Sequence, residues 1–190
     1  GNLHREGHEF SLAGEAARDA LALSEKVFGA NAHGWRCLSV ASVELATGNA
    51  IDAAALARCA QMLGRSNAMR DGLAKSIESA SLLSHCDAEA ALPISIEAVH
   101  ALRETNNLRH LGSSLRINAD IAYRLRRKKE AKQAIEEAVE LLSTFGLPRA
   151  RENALRTRER IARGDSDRPE ARGGGSGGDR RSPGKKLNFA

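Results

Sequence analysis

A chain of 190 residues can enclose one core of moderate size, and 42% apolar content with only 3% aromatic restricts what that core is made of. The apolar residues are mainly Ala and Leu, prolines number four, and β-branched residues are sparse, which disfavours a sandwich or barrel and predicts an all-α fold. The net charge of +5 is uneven: residues 1–107 hold 9 basic against 13 acidic side chains, and residues 108–190 hold 20 against 11. Such a split predicts different partners for the two ends.

No stretch approaches the roughly 20 apolar residues of a membrane helix, so no membrane partner is expected. The start, GNLHREGHEF, has neither an apolar leader core nor an initiating Met, and the chain reads as a piece of a longer protein. Cys37, Cys59 and Cys86 are odd in number and lack framework spacing, which points to a reducing, cytoplasmic setting.

In chain order, residues 1–9 read as an N-terminal extension. Phe10 to Val27 has a helical stripe of Leu12, Ala16, Ala20 and Leu23, with Gly29 expected as its C-terminal cap. Further helices are expected at about His33–Ala46, broken by Gly48-Asn49, and at about Ile51–Leu63. The next runs from about Ala68 to Leu83, after a turn at Arg65-Ser66-Asn67. Asp87 is a good N-cap for a helix over about Ala88–Leu102, in which Pro93 marks a late start or a kink. After the turn Glu104–Asn107, LRINADIAYRLRRKKEAKQAIEEAVELL (Leu115–Leu142) reads as two amphipathic helices. Leu115, Ala119, Ala122 and Leu125 form one stripe; Ala131, Ile135, Ala138 and Leu142 form the other. Arg126-Arg127-Lys128-Lys129 is too charged to bury and forms the bend between antiparallel neighbours. A last helix covers about Pro148–Ala162, with Pro148 suited to its first turn.

These helices repeat. Gly34, Gly72 and Gly112 lie 38 and 40 residues apart, and an apolar helix, a break and an Ala-rich second helix follow each. The second helices align as AAALARCAQML, AALPISIEAVHAL and AKQAIEEAVELL. In this the chain resembles a tetratricopeptide-repeat array of the longer, forty-residue kind, over about residues 33–146. Leu115, Ala119, Ala131, Ile135 and Ala138 stand where that family places large, small, small, large and small packing residues. The second repeat departs from the pattern with Ser95 and Pro93, and Arg126 stands where the first repeat has the turn glycine Gly48. The texture is also similar to the helical repeats of large bacterial regulators of the MalT-like and antibiotic-regulator kind. The resemblance implies antiparallel helix pairs stacked as a right-handed superhelix over residues 10–163, serving as the sensory or scaffolding part of a regulator.

From Gly164 the composition changes. Residues 164–190 are almost free of apolar side chains before Leu187 and Phe189, so a flexible Gly/Arg-rich, disordered tail is expected. GGGSGG reads as a linker, either natural low-complexity sequence or an engineered tether.

The chemistry-bearing residues argue against catalysis. His85-Cys86 adjacency cannot close a metal site, and no further metal-ligand spacing accompanies it. No G-x-S-x-G occurs, Cys37 and Cys59 sit in Ala/Leu-rich helices, and Glu136, Glu137 and Glu140 read as solvated pairs beside Lys132. Asp179 and Lys186 break the phosphate-loop pattern around Gly184-Lys185. No cofactor is implied. The arginines of the last helix permit phosphate contacts, but few aromatics are available for base stacking; a nucleic-acid module is the rival and less favoured reading.

In the family that the chain resembles, the first helix of each repeat lines a concave groove. That implies a protein or peptide partner facing Trp35, Leu38, Ser42 and Leu45 on the first repeat and Ser113, Arg116, Asp120, Tyr123 and Arg124 on the third. The tail itself is a candidate linear ligand. Arg180, Arg181, Lys185 and Lys186 would be steered by Glu44, Asp52, Asp71, Glu78, Asp87 and Glu89, with Leu187 and Phe189 as apolar anchors.

Overall fold

A computed structural model describes residues 18, 19, 21, 29–63, 67–144 and 146–164. Seven helices and no strands are present among them: α1 (Ala30–Thr47), α2 (Ala50–Met62), α3 (Ala68–Ser84), α4 (Ala88–Glu104), α5 (Leu108–Arg124), α6 (Lys128–Thr144) and α7 (Pro148–Arg163). Links of two to five residues join successive helices, which pack side by side as neighbours. The expected helix over Phe10–Val27 and the tail expectation from residue 165 onward lie outside the described residues, apart from Arg18, Asp19 and Leu21, which are helical.

From α3 onward the helices begin at Ala68, Ala88, Leu108, Lys128 and Pro148, one every twenty residues. Each three-residue link holds one residue in the left-handed region: Cys86 (φ 64°), Asn106 (φ 53°), Arg126 (φ 62°) and Gly146 (φ 62°). For α4, α5 and α7 the residue after it is the N-cap. Asp87 accepts from the Ala90 amide at 3.0 Å and Asn107 from the His110 amide at 3.3 Å; Asn67, ahead of α3, accepts from the Arg70 amide at 2.9 Å. Gly48 (φ 98°) ends α1 in the same way, so Arg126 reproduces the glycine's backbone without being a glycine.

Three expectations need correcting. Gly29 has extended backbone and is the N-cap of α1, which starts three residues ahead of His33. Helix α4 begins at Ala88, so Pro93 lies inside it and marks no late start. Lys128 and Lys129 are already helical, because the link needs only Leu125-Arg126-Arg127 to reverse the chain.

The core follows the repeat. An added Cβ at Gly72 would lie 2.8 Å from Leu102 Cγ, and one at Gly112 would lie 2.8 Å from Leu142 Cγ. In each pair, therefore, the first helix has a notch that receives a leucine of the second. Val99, Leu102, Leu111, Leu115, Ile135, Ala138, Leu142 and Ala154 join α4 to α7 in one cluster, and a second cluster of Cys37, Leu38, Ala41, Ala53, Ala57, Ala60 and Ile77 holds α1 to α3. Ser95, where the third repeat has the fully buried Ile135, is itself buried and accepts a 2.9 Å bond from the Asn118 amide group. A polar bridge between α4 and α5 thus occupies the place of a large apolar side chain.

First helices of successive pairs approach one another directly: α1 to α3, α3 to α5, α5 to α7. The second helices stay farther apart, with Arg103 of α4 reaching Glu137 of α6 at 2.7 Å. The stack is therefore closed on the first-helix side, where one continuous surface forms.

Candidate partner-binding groove

Equivalent residues of the first helices fall into rows across that surface. Trp35, Leu73, Ser113 and Asn153 form one row; Leu38, Ser76, Arg116 and Arg156 the next; Ser42, Ala80, Asp120 and Arg160 a third. That such positions are neighbours is shown directly by the Arg160–Asp120 ion pair, forty residues apart in sequence.

A cleft of about 390 Å³ opens on this surface. Helix α1 supplies Trp35, Leu38, Ser39 and Ser42; α3 supplies Leu73, Ser76 and Ile77; α5 supplies His110, Ser113 and Ile117. Three of its four serines donate to carbonyls one turn back, Ser39 to Trp35 at 3.1 Å, Ser42 to Leu38 at 2.9 Å and Ser113 to Arg109 at 3.3 Å. Those three hydroxyls thus present only acceptor lone pairs to a ligand, on a largely apolar floor. Burial, and after it the Arg109 charge, holds the His110 imidazole below the usual histidine range, so it is neutral at pH 7.

Of the residues anticipated for the groove, Trp35, Leu38, Ser42 and Ser113 meet in this one cleft. Leu45 packs instead against the core cluster of α1 to α3, and Arg116, Asp120 and Tyr123 lie beside α7. Arg116 donates to Asp120 at 3.1 Å from one side and Arg160 from the other, while Thr157 also bonds the carboxyl. Burial pushes the Asp120 carboxyl above its ordinary value, against the pull of those partners. Asp120 and Tyr123 are buried rather than open to a ligand, because α7 covers them; Tyr123 packs with Ala122, Ala131 and Ile161. Arg124 is exposed, with Nη1 3.9 Å from Cys86 Sγ.

Helix α3 and His110 had no place in the sequence-derived groove. Their signal was nevertheless present: moving Trp35 and Leu38 forward by 38 residues lands on Leu73 and Ser76. Three of the six acids expected to attract the tail are engaged elsewhere. Glu44 is buried against Asn49 at 2.6 Å and Arg18 at 2.5 Å, Glu78 pairs with Arg58 at 3.2 Å, and Asp87 caps α4. None of the six lines the cleft. The tail residues Arg180, Arg181, Lys185, Lys186, Leu187 and Phe189 lie outside the described residues.

Glu136 and Glu137 are not simply solvated pairs on their own helix. They bridge to Arg158 of α7 at 3.6 Å and Arg103 of α4 at 2.7 Å. No helix of the described residues is long and apolar enough to cross a membrane. No protein-family model matches the chain, and no curated protein sequence matches it.

Proposed function

We propose that this chain is a tetratricopeptide-like module that binds a protein or peptide in the groove of its first helices, as the sensory or scaffolding part of a bacterial regulator in the cytoplasm. The observation that carries the reading is the cleft itself: the first helices of three successive pairs each contribute one or two turns of side chains to a continuous, largely apolar floor. Such a surface suits apolar anchors spaced along a peptide. Binding rather than catalysis is supported by three cleft serines bonded within their own helices and by a single titratable side chain in the lining. The regulator setting rests on the resemblance of the repeats.

The basic last helix is a weaker basis for function. Arg156, Arg158, Arg160 and Arg163 pair with Glu152, Glu136, Asp120 and Glu159, which leaves fewer cations for phosphates. Trp35 is the only tryptophan and lies in the cleft, so it reports occupancy. In a selection from a random-peptide display library, enriched peptides are expected to shift its emission and to lose binding in Ile117→Ala. Enriched peptides that leave Trp35 unmoved, or tight DNA binding at physiological salt, would overturn the reading.

A further inference from the structure

Across the stack the groove changes character in a fixed direction. Near α1 and α3 it is neutral and apolar, with Trp35, Leu38, Leu73 and Ile77. On α5 the open stripe turns from His110, Ser113 and Ile117 to Arg109 and Arg116, one helical step closer to α7. Arg116 and Arg160 share the single carboxylate of Asp120, so that cluster keeps an excess positive charge at the edge of the cleft. Arg109 is exposed and close enough to His110 to disfavour its protonation. No carboxylate lines the apolar end.

We infer that the occupant is an acidic amphipathic peptide segment, with apolar side chains at the α1–α3 end and Asp or Glu side chains at the α5–α7 end. This rests on the groove reading and adds the chemistry of the partner. Apolar anchors fill the floor between Trp35, Ile77 and Ile117, and side-chain carboxylates meet Arg109 and Arg116. Charge complementarity fixes both the partner's sign and its direction along the stack. The same argument disfavours the chain's own tail, whose Arg180, Arg181, Lys185 and Lys186 repeat the charge of the groove.

The test uses the full chain and three peptides of twelve residues, capped at both ends. One alternates Leu and Phe with Asp and Glu at helical spacing, the second replaces every acid by Lys, and the third is residues 179–190. The acidic peptide is expected to shift Trp35 emission and to bind at least about tenfold tighter than the lysine peptide, with weaker binding in high salt. Arg109→Gln, an exposed change outside the Asp120 cluster, is expected to weaken it severalfold, and Arg116→Gln about tenfold. Equal or tighter binding of the lysine or tail peptide would overturn the acidic partner while leaving the groove reading intact. If no peptide moves Trp35, both fail. An oligodeoxythymidine that binds tighter than the acidic peptide, and loses affinity in Arg109→Gln, would assign the cations to nucleic acid instead.

Discussion

In the second and third helix pairs a glycine of the first helix faces a leucine of the second, Gly72 against Leu102 and Gly112 against Leu142. In the first pair Gly34 faces the Ala60 carbonyl and the side chain of Arg70, which belongs to the next pair. The buried residues of α2 are Ala50, Ala53, Ala57 and Ala60, and no leucine of α2 reaches Gly34. Arg70 is fully buried, and its guanidinium bonds Asn31 at 3.0 Å. At the glycine positions pairs two and three thus have an apolar interlock within the pair, whereas the first pair receives a polar side chain of its neighbour beside their shared apolar cluster. A buried leucine contributes through transfer and close packing, while a buried arginine must first offset its own desolvation. The same helix-pair geometry therefore rests on unequal foundations.

The largest expected effect lies in the interlock. Leu142→Ala should cost about 2–5 kcal/mol in urea unfolding, and Gly112→Ala about 1–3 kcal/mol, because its new Cβ would overlap Leu142 Cγ. The double variant should cost less than the two singles together, since each change relieves the other. Gly34→Ala meets its nearest atoms at 3.3 Å and should be milder than Gly112→Ala. Equal costs would erase the contrast between the pairs.

A smaller effect with opposite signs is expected at the links. Gly48→Ala forces a β-carbon into φ 98° and should destabilise by about 1 kcal/mol. Arg126→Gly relieves the same strain at φ 62° and should stabilise by up to about 1 kcal/mol. Thermal melts of the two variants moving in the same direction would show that the left-handed positions are not equivalent.

The smallest effect concerns the cleft at acid pH. His110 has a folded-state pKa below its ordinary value of 6.5, so just under that pH the unfolded chain takes up the proton first. Stability from this group is full above pH 6.5 and is lost as pH falls through the folded value. His110→Gln should flatten the slope of stability against pH in that window. An unchanged slope would mean that burial of the imidazole has no energetic consequence.

The all-α class, the caps and the core stripes were legible because each is written locally. Asp87 and Pro148 sit at helix starts where their side chains require it. Leu115, Ala119, Ile135, Ala138 and Leu142 recur at helical spacing and are all buried. The twenty-residue frame was harder to see, because Cys86, Asn106 and Arg126 share a left-handed conformation that none of them advertises as glycine does. What tertiary structure alone decided is which polar positions remain open. Asp120 and Tyr123 look solvent-facing on an isolated α5, and are buried only because α7 arrives forty residues later with Arg160 and Thr157. The cleft is likewise assembled from Trp35, Ile77 and Ile117, which are neighbours only once three helix pairs have stacked. Periodicity and capping act within one helix and so leave their mark in sequence; burial of an outer face depends on what packs against it, which no local pattern records.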